Sequence, residues 1–210
     1  MSDSTATLLR AADSRRVRWK NGGGWTREIA VASDATTSSG PEPSGIADGF
    51  RWRISIAEIE QDGPFSVFPG IDRELLLLNG NGIELAIDDQ SPLRLDRPLQ
   101  AVRFTGEQRV HCRLIDGPTR DFNVMVRRSA FKANVRARRL ENLQPITLAS
   151  NRDYLIHVVE GTLRASFAGA HLAATNGDSV RIATGNSPES MLMLDGCEQV
   201  IVVELEELQF

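Results

Sequence analysis

Segment after segment of this chain alternates apolar and polar side chains with a period of two, and almost nowhere do apolar residues recur at helical spacing. Residues 51–59 put Trp52, Ile54 and Ile56 on one face and Arg53, Ser55 and Ala57 on the other, because successive side chains of a strand point to opposite sides. Residues 121–126 repeat the pattern, with Asp121, Asn123 and Met125 opposite Phe122, Val124 and Val126. Gly63-Pro64, Pro69-Gly70 and Asn79-Gly80-Asn81-Gly82 punctuate these runs as turns. Short strands separated by turn signals predict an all-β chain.

The second half repeats the first in outline. Glu74 to Leu85 reads as strand, Asn-Gly turn and strand, and Tyr154 to Phe167 reads the same way around Glu160-Gly161. Weak internal symmetry of this kind predicts two antiparallel barrels of jelly-roll type. The expected division is an N-terminal lobe over 1–126 and a C-terminal lobe over 127–210, with 127–145 crossing between them. Residues 1–14 are expected to be a loose lead-in, or an edge strand through Thr7 to Leu9. Gln199 to Leu205 is expected to pair back into either lobe. At 210 residues the chain is long enough to bury a full core. Residues 33–49, rich in Ser, Thr, Pro and Gly, form a long loop, disordered or acting as a pocket lid.

The densest polar chemistry lies in Trp19-Lys20-Asn21-Gly22-Gly23-Gly24-Trp25-Thr26-Arg27-Glu28-Ile29. Three successive glycines predict positive φ values or a close backbone approach to something, either a ligand or the strands of a tight hairpin. Alternation after the glycines sets Thr26 and Glu28 on one face and Trp25, Arg27, Ile29 and Val31 on the other.

The motif Trp-Lys-Asn-Gly-Gly-Gly-x-Thr-Arg-Glu-Ile resembles the signature of the HutD/Ves family. Phe50 to Ala57, Asp62 to Arg73 and Asp121 to Met125 agree with it, so the resemblance covers about residues 15–205. It implies a bicupin: two cupin-like β-barrels, a small-molecule pocket, no established reaction and a link to histidine utilisation.

Charge bounds the partners. With 24 basic and 28 acidic residues the net charge is -4, which offers no global attraction to nucleic acid or to an anionic membrane. Met1 to Ala12 lacks a basic region followed by an apolar run, and no stretch approaches the roughly 18 apolar residues of a membrane span. A cytoplasmic location is therefore expected. Cys112 and Cys197, far apart and without metal spacing, are expected to be small buried residues and not a disulfide.

A cupin-type metal needs about three converging ligands. His111, His157 and His171 are isolated in sequence, so no metal and no cofactor are expected. No cysteine or serine stands in a nucleophile motif, and no Gly-rich phosphate pattern fits. Donors are what the motifs supply. On the strand of Arg53, Ser55 and Ala57 an arginine beside small side chains makes a cavity wall. Lys20, Asn21, Arg53 and Arg73, with the amide of Gly23, suit a carboxylate, and Thr26, Glu28, Ser55 and Asn123 complete the expected ligand-binding set. The expected partners are a small carboxylate, of the urocanate or formylglutamate kind that the resemblance implies, and a second copy of the chain in a homodimer. Two other functions stay open: a metal-independent isomerase or hydrolase using Glu28 or Glu58 as base, and a structural protein recognised through an exposed edge strand. The cations of 131–138, which share one strand face, are expected to be solvated.

Overall fold

The computed structural model describes residues 4–33, 49–186, 190–196 and 199–208. Its strands in chain order are β1 (Thr5–Leu9), β2 (Arg16–Arg18), β3 (Gly24–Ser33), β4 (Phe50–Ile59), β5 (Gly63–Pro64), β6 (Ile71–Asn79), β7 (Ile83–Ile87), β8 (Leu93–Leu95), β9 (Ala101–Thr105), β10 (Val110–Leu114) and β11 (Thr119–Arg127). They continue as β12 (Phe131–Arg138), β13 (Gln144–Leu148), β14 (Arg152–Glu160), β15 (Thr162–Phe167), β16 (Ala170–Thr175), β17 (Ser179–Ala183), β18 (Ser190–Asp195) and β19 (Gln199–Glu207). One 3-10 turn, Ala11–Asp13, is the only helical element among the described residues. The loop expected over 33–49 falls, apart from its two ends, outside the described residues, as does Cys197.

The chain divides into two compact units, Arg15–Phe131 and Met1–Ser14 with Lys132–Phe210. Residues 1–14, expected with the N-terminal lobe, belong to the other unit because β1 pairs antiparallel along β17, from Thr5 opposite Ala183 to Leu9 opposite Ser179. Ala6 and Leu8 pack against that unit's core. Asp178 fixes the end of the pairing by accepting hydrogen bonds from Arg10 Nη1 and the Ala11 amide, both at 2.9 Å.

Each unit is a pair of antiparallel sheets, and the pairing repeats. In Arg15–Phe131 the sheets run β2-β3-β4-β11-β6-β9 and β5-β10-β7-β8. In the other unit the order β4-β11-β6-β9 recurs as β12-β19-β14-β17, and β5-β10-β7-β8 recurs as β13-β18-β15-β16. The fold is the all-β pair of jelly-roll barrels that the repeated turns predict, and it is cupin-like as the family resemblance implies. Gly82 shows why such a turn selects its residue: its φ is +105°, and a Cβ there would stand 2.2 Å from the Leu95 carbonyl oxygen.

The core of the Arg15–Phe131 unit lies between its sheets. Ala57, Ile59, Leu75, Val102 and Phe104 come from the larger sheet, and Ile83, Leu85, Ile87, Leu95, Val110 and Cys112 from the smaller. Burial pushes the Cys112 thiol up to about 12, leaving it an inert apolar filler. Both faces of β4 are buried: Trp52, Ile54 and Ile56 on one, Ser55 and Ala57 on the other. The second face, not only the first, is therefore core for part of its length.

Candidate functional site

Registry gathers the polar residues. In β11, Asn123 lies between Ser55 of β4 and Leu75 of β6, and Met125 lies between Arg53 and Arg73. Asp121 lies between Ala57 and Leu77. In β3, Thr26 is opposite Ala57, Glu28 opposite Ser55 and Val31 opposite Arg53. Since side chains alternate, these residues share the face that carries Ala57 and Leu75 into the core between the sheets. Strict alternation placed Val31 on the opposite face from Glu28. A bulge between Glu28 and Ala30 inserts one residue and returns Val31 to the side of Arg53.

Arg73 is more than nine-tenths buried, and its guanidinium carbon stands 4.7, 5.4 and 5.5 Å from the ring centres of Phe104, Phe65 and Phe68. Arg53, half-buried, lies 5.3 Å from Phe50 and 5.7 Å from Phe68. Ring faces attract a desolvated cation, so the phenylalanines form a partial substitute for water, with Phe68 against both guanidiniums. The polar contacts are few. Arg73 Nη1 reaches the Ser66 carbonyl at 3.5 Å and Arg53 Nη2 the Met125 sulfur at 3.3 Å. Nε of both arginines, both carboxylate oxygens of Asp121 and Oδ1 of Asn123 are buried without a hydrogen-bond partner. Buried polar groups are normally paired, so this face is set apart by its concentration of orphaned donors and acceptors.

Electrostatics agrees. Burial lowers Arg73 to about 10, with Asp121 opposing and Arg53 adding to the fall. Burial likewise lowers Arg53, against the pull of Glu28. Burial pushes the Asp121 carboxyl up to about 7 although Arg73 works the other way. An anion arriving between the arginines would stabilise both cations in a setting where charge-assisted bonds are strong.

Of the expected residues, Thr26, Glu28, Arg53, Ser55, Arg73 and Asn123 are brought onto this face. Thr26 is held by the Trp19 indole, whose Nε1 donates to Thr26 Oγ1 at 2.8 Å. Lys20, Asn21 and Gly23 are not brought there. Their turn adjoins Gly24, which pairs with Ile59, and Ile59 lies six residues, about 20 Å of strand, from Arg53. Lys20 is exposed, Asn21 Oδ1 accepts the Gly23 amide at 3.0 Å, and the Gly23 carbonyl accepts the amides of Glu60 and Gln61. Gly24 has a packing reason: a Cβ there would meet the Glu58 carbonyl oxygen at 2.3 Å and the Trp19 ring at 3.2 Å. The close approach that three glycines announced is to the chain's own strand β4. Glu58, an expected base, points to the other face, where it pairs with Arg16 and Arg27.

Sequence reasoning missed Asp121 and the four phenylalanines as site residues. Asp121 carried a signal, a carboxylate on the same alternating face as Asn123 and Met125. The phenylalanines come from three separate segments, β4, β9 and the loop before β6, and carried none. Among the described residues no three His, Cys, Asp or Glu side chains group as a metal site. His111 and His171 are exposed, and His157 is buried with Nδ1 2.9 Å from Ser179 Oγ.

Fold and site together define a bicupin with an arginine-lined polar face in its first barrel. The HutD family model matches residues 11–202, and the chain belongs to the HutD family. It is 44% identical over 132 residues, 63% of its length, to an uncharacterized 21.2 kDa protein in the hutC 3' region of Pseudomonas putida. It is 40% identical over 119 residues, 56% of its length, to protein Ves of Escherichia fergusonii. These matches span 64% and 56% of the two relatives, in each case less than two thirds. Among solved structures, HutD from Pseudomonas fluorescens SBW25 is similar with a TM-score of 0.79 and 30% identity, over 98% of this chain and 100% of that one. No helix among the described residues is long and apolar enough to cross a membrane.

Proposed function

We propose that the first barrel binds a small carboxylate metabolite, of the urocanate or formylglutamate kind, and that binding modulates histidine catabolism. The observation that carries this reading is the row of Arg53, Met125 and Arg73, with two buried guanidinium Nε groups lacking partners. A carboxylate accepts from planar guanidinium forks, while Asn123 Oδ1 and Asp121 remain to accept an N–H or O–H from the same molecule. The tie to histidine breakdown rests on the family and on the hutC-region description of the Pseudomonas putida relative.

Urocanate or N-formyl-L-glutamate should raise the melting temperature by mass action on the folded state. Neither acid shifting it at millimolar concentration would remove the proposal.

Catalysis is the second reading. Asp121, held near neutrality by burial, and Glu28, opposite Ser55 on the same face, are both suited to proton transfer. Conversion of either acid on incubation with the protein, lost in Asp121→Asn, would favour an isomerase or hydrolase over a sensor.

A further inference from the structure

We infer that the second barrel carries its own site for a small organic acid bearing a hydroxyl or ammonium donor, of the hydroxy- or amino-carboxylate class. A cavity of about 270 Å³ opens in the Lys132–Phe210 unit, walled by Asn134, Arg136 and Arg138 of β12, by Ile146 and Thr147 of β13, and by Tyr154, Val202 and Glu204. β12 and β13 are the terminal strands of their sheets, so the cavity occupies the open seam between two sheet edges. The strand face expected to be merely solvated is one of its walls.

Topology supports a site here independently of the cavity. The cavity strands β12, β19 and β14 repeat β4, β11 and β6, the three strands that carry Arg53, Met125 and Arg73. Arg73 is opposite Met125, two residues before the fully buried Leu75. Tyr154 is opposite Glu204, two residues before the fully buried Ile156. The second barrel therefore repeats the position of the polar face with different chemistry.

That chemistry is specific. Glu204 Oε1 is engaged by Arg152 Nη1 and by the Tyr154 hydroxyl, whereas Oε2 receives only Asn134 Nδ2, at 3.4 Å. Oε2 keeps capacity for a donor from outside. Arg138 makes no hydrogen bond or ion pair among the described residues, and Arg136 makes one, from Nε to Asn134 Oδ1 at 3.4 Å. Two arginines two residues apart on one strand face present forks to an oxoanion, and Glu204 stands ready for a cation or hydroxyl on the same molecule. Ile146 and Val202 leave room for a short carbon chain. A bare anion would leave the remaining acceptor capacity of Glu204 Oε2 unused, and a bare cation would be repelled by the arginines.

The topological support rests on the first-barrel reading, the cavity and its unpartnered groups do not, and the test reads a different set of amides. The full chain, labelled with nitrogen-15, is titrated separately with L-malate, L-glutamate, acetate and inorganic phosphate. Malate or glutamate should shift the amides of 134–138, 146–149 and 202–204 at least about tenfold more tightly than acetate or phosphate. Arg138→Ala should weaken that response about tenfold, the scale of one charge-assisted bond. Arg138→Gln serves if the alanine variant does not fold. No shift at these amides with malate or glutamate, equal binding by acetate or phosphate, or an unchanged response in folded Arg138 variants would each overturn the inference.

Discussion

Arg53 and Arg73 flank Met125 from opposite sides, each its direct cross-strand partner. Two strand spacings set the arginine backbones about 10 Å apart, and the side chains repel through a largely desolvated space. Burial and the neighbouring Arg53 both oppose the charge on Arg73, and Asp121 favours it.

Arg53→Met should consequently stabilise the ligand-free protein. Replacing a buried ion pair with well-packed apolar side chains often gains about 1–4 kcal/mol, and removing the single, half-buried charge of Arg53 should give the low end of that range, about 1 kcal/mol. At this chain length each kcal/mol is worth roughly 2–4 °C, so thermal denaturation should show a rise of at least about 2 °C. A fall of that size would mean that Arg53 braces the barrel and is not reserved for a ligand.

Asp121 predicts a pH dependence. Its folded pKa stands near 7, above the ordinary carboxyl value of 3.8, so between those values the folded state holds a proton that the unfolded state has released. Its contribution to stability is full below about pH 4 and is lost as the pH rises through 7. Asp121→Asn cannot titrate. The melting temperature of the variant relative to the parent should therefore climb between pH 5 and pH 8, and a difference that stays flat would contradict the burial of this carboxyl.

The glycine-rich turn should behave as structure. Gly24→Ala forces a methyl group against the Glu58 carbonyl and should cost about 1–3 kcal/mol. Lys20→Ala, at an exposed position, should change stability by less than about 0.5 kcal/mol. Neither substitution should alter the melting shift given by a carboxylate, which thermal scans with and without ligand will measure.

Asp178 should hold the N-terminus. Burial pushes its carboxyl up, but hydrogen bonds from Ala11, Thr175 and Arg10 outweigh that and leave its pKa below the ordinary value. Its stabilisation is present at neutral pH and is lost as the pH falls through that lowered value. Asp178→Ala should release β1 from β17, seen as faster amide hydrogen exchange over Thr5–Leu9.

The fold was legible because its signal is local. Alternation in 51–59 and 121–126 and the Asn79 to Gly82 turn each specify strands and hairpins within a few residues. The pairing of β1 with β17 was not legible, because five residues near the N-terminus say nothing about a partner 170 or more positions away. Within the site, Arg53, Ser55 and Asn123 could be placed from periodicity alone. The bulge after Glu28 could not, since one extra residue leaves no trace in composition. Lys20 and Asn21 were drawn in by their chemistry, and only the register of Gly24 against Ile59 shows that they stand at the far end of β4. The phenylalanine surround of the two guanidiniums exists only after β4, β6, β9 and the loop before β6 converge.

Titration calorimetry of the parent and of Arg53→Met with N-formyl-L-glutamate and with urocanate tests the central claim most directly. The account predicts saturable binding of at least one acid by the parent and a loss of about 30-fold or more in the folded variant, as expected when one partner of a desolvated charge pair is removed. Equal affinity in parent and variant would contradict it.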